Sequence, residues 1–284
     1  MAIEEGTIEK VRDALVRAAT IYRDDQKDAF RRAIASEQNE RAKWALEQLL
    51  ANALAAETNK SPLCDDTGVP HLILELGDQR SLSGQMLEVI HAGVAEGLNA
   101  LPGRPMAVLG DDKQRLAQTT GLDLDPAALV PAPLIIKHVS GNTMRLHILM
   151  QGGGPEIRGK TYRVFHKHRI DTIVDEICSW ASEEVGKLGC TPCVPSIGIG
   201  RSHFEASALM LEAMVFGDFN VQNETEQEIT RRINETQTGP IGLGGSNTAL
   251  ATFMKIGPQR ASGVRIVCLR LSCCVEPRRA SVDL

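Results

Sequence analysis

Aromatic side chains are scarce in this sequence: two Trp, two Tyr and six Phe among 284 residues. Its core must therefore be built from Leu, Val, Ile, Ala and Met. Long apolar runs are also missing, and no window approaches the roughly eighteen uninterrupted apolar residues of a membrane-spanning helix. Nor is there an excess of positive charge. Lys and Arg number 31 against 36 Asp and Glu, a net charge of -5. That balance lacks the basic face a nucleic-acid partner would need, although a local basic pocket for a small anion is still possible. The opening "MAIEEGTIEKVRDAL" carries acids and lacks the basic-then-apolar pattern of a secretory leader. A cytoplasmic protein is expected.

What is present suits a globular fold with a real core: 43% hydrophobic and 24% charged residues. At roughly 150 residues per domain, the length fits one large domain or two intertwined ones. The expectation is one domain over 1–284, with a helical part of about 1–60 and an α/β part of about 61–284.

Thr7 to Thr58 contains no Gly or Pro, and apolar residues recur at helical spacing at Ile8, Val11, Leu15 and Ala18. Val69–Leu76 reads as a strand and Ser83–Leu101 as a helix closed by "LPG". Leu109–Pro133, with "GDD" and "TTGLDLD", reads as a long functional loop. Leu134–Val139 and Met144–Gln151, separated by "SGN", suggest a hairpin-like pair.

Further on, "KTYRVFHKH" alternates like a strand, with His166 and His168 on one solvent-facing side. Ile170–Leu188, Phe204–Phe216 and Glu224–Thr236 read as helices, while "GCTPCVPSIGIGR" and "TGPIGLGGSNTAL" read as loops. Strand-like runs follow at Thr248–Ile256 and Val264–Ser272. The class is mixed α and β: a helical N-terminal region, then a sheet with packed helices.

Chemistry concentrates in the cysteines. In the cytoplasm seven cysteines point to metal ligands, catalytic groups or buried thiols rather than a disulfide framework. Cys178 and Cys268 lie within element-like segments and read as core. The others occupy three loops: Cys64 in "LCDDTG", Cys190 and Cys193 in "GCTPCVP", and Cys273 and Cys274 in "SCCVEPRR". One C-x-x-C, one adjacent pair and one single cysteine match structural zinc patterns poorly. Three thiolates from separate loops suit an iron–sulfur cluster with one iron left open; free buried thiols and a zinc site are the competing readings.

The order "LCDDTG", "MQGGGPE", "GCTP…GIG", "GPIGLGG", "CVEPRRA" resembles the alpha subunit of the two-subunit class I fumarases and tartrate dehydratases. The resemblance runs from about Pro62 to Ala280. It implies a [4Fe–4S] cluster held by Cys64, Cys190 and Cys274, with Cys193 and Cys273 as the alternative registers. It also implies addition or removal of water on a small dicarboxylate, fumarate/malate first and tartrate second.

By the same resemblance Asp66 is the catalytic candidate, and Asp65, Gly152 and Gly153 are candidates for binding substrate. An Asp turn cap and a positive-φ turn are their ordinary structural readings. The resemblance further implies a separate beta subunit completing the site, and a homo-oligomer of alpha or of alpha–beta. Asp65 stands where that family usually has glutamine, and "GPQRASG" lacks the family's histidine, with Gln259 or Ser262 near its place. A non-catalytic relative is the third reading.

Overall fold

The computed structural model of the chain describes the backbone of residues 2–284 and the side chains from Glu5 onward. In chain order the elements are helices α1 (Ala2–Thr20), α2 (Asp24–Ser36) and α3 (Glu40–Asn59), strand β1 (Val69–Gly77), and helices α4 (Gly84–Ala100) and α5 (Asp112–Ala117). Then come β2 (Ile135–Val139), β3 (Met144–Gln151), α6 (Gly153–Glu156), β4 (Lys160–Phe165), α7 (Ile170–Leu188) and β5 (Val194–Gly200). The remainder is α8 (His203–Phe216), α9 (Glu224–Asn234), β6 (Phe253–Ile256), β7 (Val264–Ser272) and β8 (Arg278–Asp283). This is a mixed α/β fold with its helices first and two mixed sheets after them. Among the described residues no helix is long and apolar enough to cross a membrane.

The chain forms two compact units, each assembled from separated stretches. The first takes residues up to Ile21, Leu54–Gly152 and Arg278–Leu284; the second takes Tyr22–Ala53 and Gly153–Pro277.

In the first unit the strand order is β2-β1-β3-β8. Helix α1 places Val11, Leu15 and Ala18 on one stripe, and these pack with Leu72 and Leu74 of β1 and Leu146 and Ile148 of β3. Each fully buried side chain of this size contributes about 1.5–3 kcal/mol. Alternate strand residues face the other way. There His147 Nδ1 lies 2.7 Å from Ser281 Oγ and its Nε2 3.1 Å from Glu75 Oε2. Burial holds the His147 pKa below the ordinary imidazole value, although Glu75 opposes the shift.

In the second unit the order is β4-β7-β5-β6, with β7 antiparallel to both neighbours and β5 parallel to β6. Helix α7 buries Val174, Ile177 and Ala181 with Ile197 of β5 and Leu269 and Leu271 of β7. A Cβ at Gly198 would collide with the backbone of α8 at Ala206 and Met210, so only glycine lets that helix lie so close.

Several local expectations change. β2 and β3 do not form a hairpin, because β1 lies between them, parallel to β2 and antiparallel to β3. The buried run Leu72–Leu74 needs neighbours on both edges, and β1 takes one from each side. The 109–133 stretch is not wholly loop. Asp111 and Gln114 form a reciprocal capping box that starts α5.

The "PSIGIG" part of the expected cysteine loop is strand β5, buried along its whole length. The expected strand at 248–256 shortens to β6, and "RRASVD" supplies β8, which local pattern did not reveal. Strand β4 ends at Phe165. His166 is buried and takes Ser262 O at 2.8 Å through Nε2, while its Nδ1 accepts from His168 N at 3.0 Å. It therefore does not share a solvent-facing strand surface with His168.

Candidate active site

Sheet register decides which motifs meet. In the first unit Val69 pairs with Gln151, and Met150 pairs with Arg278. The "CDDTG" turn entering β1, Gly152 leaving β3 and Arg278 entering β8 thus share one end of the sheet. The turn is held from behind by Leu63, which is buried and whose N–H donates to Ala19 O at 2.9 Å.

Within this turn Asp66 Oδ1 accepts from Gly68 N at 3.1 Å. That is the turn-capping bond its local sequence suggested, and it also fixes the carboxylate. Arg278 is buried, and its Nη1 donates to Asp66 O at 2.7 Å. Gly68 has φ +80, and a Cβ there would stand 2.5 Å from Arg278 Nη2 and 2.8 Å from Gln151 O.

Gly152 is not among the glycines with positive φ. A Cβ on Gly152 would lie 2.9 Å from Asp66 Oδ2 and 3.5 Å from Arg278 Nη2. Close approach of a carboxylate, not turn geometry, explains glycine at this position. Gly153 opens the single-turn helix α6, its carbonyl accepting from Ile157 N at 3.1 Å.

Sequence reasoning missed Arg104. Its Nη1 is 3.0 Å from Asp65 Oδ2, with both side chains largely exposed. Buried Thr67 donates through Oγ1 to Arg104 O at 2.8 Å, tying the "GRP" segment to the aspartate turn. The available signal was an arginine set between Gly103 and Pro105 directly after a helix. Arg278 was also underestimated: a pair of arginines beside a strand suggested solvated groups, yet both Arg278 and Arg279 are buried.

In the second unit the register Val194 to Ser272 brings the first cysteine loop beside the second. Cys274 N donates to Cys190 O at 2.9 Å. Cys190 is exposed and Cys274 buried. The Cys274 loop is held by several bonds. Tyr22 Oη donates to Cys274 O at 2.9 Å, Glu276 N donates to Cys273 O at 2.9 Å, and Gln26 Nε2 reaches Glu276 O at 3.5 Å. Arg270 is buried and pairs through Nη2 with Glu276 Oε1 at 3.1 Å and Oε2 at 3.2 Å, while Nη1 pairs with Glu156 at the end of α6.

Cys193 behaves differently from Cys190. It is fully buried in the α7–β5–β7 core, and burial pushes its thiol up to about 12. Cys178 lies in the same core, its thiol likewise pushed up to about 11 by burial. Both sit where a small apolar side chain would sit.

The glycine-rich loop Gly239–Asn247 is structural scaffolding of this unit. Thr191 Oγ1 donates to Gly239 O at 2.6 Å, and Ile241 N donates to Thr191 O at 3.0 Å. Buried Glu37 accepts from Ser246 N at 2.9 Å, Asn247 N at 3.1 Å and Asn247 Nδ2 at 2.9 Å. Burial alone would raise the Glu37 pKa, but the bonds from Asn247, Asn39 and Ser246 outweigh it and hold the carboxyl below its usual range.

In "GPQRASG", Gln259 Nε2 donates to the carbonyls of Ile199 and Gly257 at 3.2 and 3.0 Å. His166, just past the end of β4, touches this segment, but both of its ring nitrogens are engaged with backbone.

Among the described residues no cluster of three or more His, Cys, Asp or Glu side chains stands in a metal-holding arrangement. Thiols are the donor type that iron–sulfur clusters take. Two thiol-bearing residues on adjoining loops share a backbone hydrogen bond, and the turn bearing Cys64 is itself anchored.

The fumarate hydratase (Fumerase) family profile matches residues 8–283, so the chain belongs to that family. A Methanocaldococcus jannaschii protein with the provisional name L(+)-tartrate dehydratase subunit alpha is 29% identical over 286 residues, covering 95% of this chain and 96% of the relative.

Proposed function

We propose that the chain is the alpha subunit of an iron–sulfur hydro-lyase acting on a small dicarboxylate, with fumarate/malate as the main substrate pair. The observation that carries this reading is the family match over residues 8–283, with the motif residues lying at matched sheet ends inside each unit.

Cys64, Cys190 and Cys274 are the proposed ligands of a [4Fe–4S] cluster. When bound, such a cluster supplies a Lewis acid for hydroxyl and carboxylate oxygens. The protein's own residues do the rest. Asp66, fixed through Gly68 and backed by Arg278, handles the proton on the carbon beside the substrate carboxylate. Arg104 offers a guanidinium for carboxylate charge, and Gly152 and Gly153 let main chain approach the substrate.

A beta subunit supplies the remaining groups, in keeping with the relative's name as a subunit alpha. The assembly is a cytoplasmic heteromer containing more than one copy of alpha. The same name favours tartrate dehydration as the second reading.

The test is iron and acid-labile sulfide content per chain after anaerobic purification with the partner, followed by hydration and dehydration assays over several dicarboxylates. A loaded cluster with turnover supports the proposal. Protein that binds only zinc, or a loaded complex without turnover, overturns it.

A further inference from the structure

In the first unit, the sheet face opposite the α1 stripe carries three residues that the proposed hydro-lyase chemistry leaves unused. His147 of β3 stands opposite Ser281 of β8, and Glu75 of β1 lies diagonally across from it, all on one face. The ring bridges both gaps, with Nδ1 2.7 Å from Ser281 Oγ and Nε2 3.1 Å from Glu75 Oε2. The side chains of His147 and Glu75 are 6% and 17% exposed, whereas Ser281 is exposed. A hydroxyl at the surface is thus backed by a shielded imidazole and a shielded acid.

The acid fixes the proton. As a carboxylate, Glu75 only accepts, so Nε2 carries the ring hydrogen and Nδ1 is left bare to accept from the Ser281 O–H. Burial holds the His147 pKa below the ordinary imidazole value; Arg145 and Lys137 act in the same direction and Glu75 opposes them. The ring is therefore neutral at pH 7. Asp283, the other acid in this row, is held by Arg145 at 2.7 and 3.1 Å.

Strand β8 ends the sheet, and Leu284 N donates to Met144 O. Even-numbered residues of β8 therefore bond to β3, and Ser281 turns its own N–H and C=O to the free edge. Arg17 Nη2 donates to that carbonyl at 3.2 Å, which puts a guanidinium beside the hydroxyl-bearing residue. His147 is four residues along β3 from Gln151, about 13 Å, so this centre is separate from the aspartate turn.

We propose that Ser281 is a nucleophile for short acyl groups, with His147 as its general base and Glu75 as a positioning residue. Ser281 Oγ bonds to the acyl carbon, its proton passes to His147 Nδ1, and the bond to the leaving group breaks. Ser281 N–H and Arg17 offset the negative charge that develops on the acyl oxygen. Arg17 also favours a leaving group that departs as an anion, as in acyl phosphates and aryl esters. Water, giving its proton to His147, then cleaves the acyl-serine and releases the acid.

The experiment treats the full-length chain with a fluorophosphonate, whose P–F bond breaks as Ser281 Oγ bonds to phosphorus, and separately with p-nitrophenyl acetate. Peptide mass spectrometry reads the adduct at each serine, so acylation of thiols does not enter the count. Ser83 is the internal control: it is equally an exposed serine, but its Oγ accepts from Met86 N. Ser281 is expected to react on the order of 100-fold faster than Ser83 in the wild type. Its rate should be level at neutral pH and fall in acid as His147 gains a proton. Glu75→Gln should slow Ser281 at least about tenfold, and Glu75→Asp should recover part of that loss.

Equal labelling of Ser281 and Ser83 in the wild type overturns the proposal, and that comparison needs no variant to fold. Unchanged Ser281 labelling in Glu75→Gln, or a rate that does not fall in acid, also overturns it, since a hydroxyl that merely satisfies a buried histidine would show neither response.

Discussion

Arg278 Nη1 donates to the main-chain carbonyl of Asp66 at 2.7 Å, joining residues 212 positions apart. The guanidinium is buried between the aspartate turn and Gly152, where it sets the height of that turn above the sheet. Arg278→Lys keeps the charge but loses the planar fork. Its expected cost is on the order of 10–100-fold in kcat with a smaller change in KM, because Asp66 shifts while binding groups stay. Loss of KM alone would place Arg278 in substrate binding instead.

Gly152→Ala tests close approach. The backbone can accept alanine, but the new methyl would stand 2.9 Å from Asp66 Oδ2. Activity should fall at least about tenfold, with roughly 1–3 kcal/mol of stability lost to overpacking. Gly154→Ala, whose Cβ would meet nothing within 4 Å, is the control and should stay near wild type. Equal behaviour of the two variants in a steady-state assay would remove the steric argument.

The cysteines should separate in iron loading. Cys64→Ser, Cys190→Ser and Cys274→Ser are each expected to abolish iron loading, whereas Cys193→Ala should load normally. In the cluster-free native protein a maleimide should modify exposed Cys190 quickly and Cys193 only on unfolding, since burial raises that thiol to about 12. Mass spectrometry of the labelled peptides reads this directly. Iron loss in Cys193→Ala with normal loading in Cys190→Ser would reverse the assignment.

Glu37 should give the fold an acid-sensitive component. Its carboxyl is held below the usual value in the folded chain, so the unfolded state binds the proton first as pH falls. Its stabilisation is complete above the ordinary carboxylate value and disappears as pH drops through the lower folded-state value. Glu37→Gln should flatten this part of the pH profile in urea midpoints. An unchanged acid slope would mean that other carboxylates carry it.

Arg270 is the charge partner of fully buried Glu276. Arg270→Met removes that charge partner and should cost about 3–5 kcal/mol of unfolding free energy. Adding Glu276→Gln should recover part of this loss. Denaturant titrations of the single and double variants check the coupling.

Much of the fold could be read locally. The stripe Val11, Leu15 and Ala18 marked α1, and Val264–Ser272 matched β7 end to end, because both carry their period within one element. Strand β8 was hidden because "RRASVD" is strand-like only once Met150 and Leu149 lie beside it, and burial of its arginines depends on distant partners. β1 lying between β2 and β3 was hidden for the same reason: a short "SGN" connection does not reveal a third strand.

At the candidate site the residue types stood out, but their supports did not. Cys64, Asp66 and Gly152 carry motif signals; Arg104, Thr67 and Arg270 matter through contacts that no spacing encodes. The motif resemblance set Cys190 ahead of Cys193, and the contrast between exposed Cys190 and buried Cys193 was not legible in the spacing.

The interleaved division of the chain has a consequence for its evolution and handling. Backbone passes between the units after Ile21, Ala53, Gly152 and Pro277, so neither unit is one uninterrupted run of codons. Recombination cannot exchange one unit as a single cassette, and a lone protease cut at any crossing leaves three other tethers intact. Two of those crossings adjoin Gly153 and Arg278, so shuffling there would disrupt the same residues on which the proposed chemistry depends.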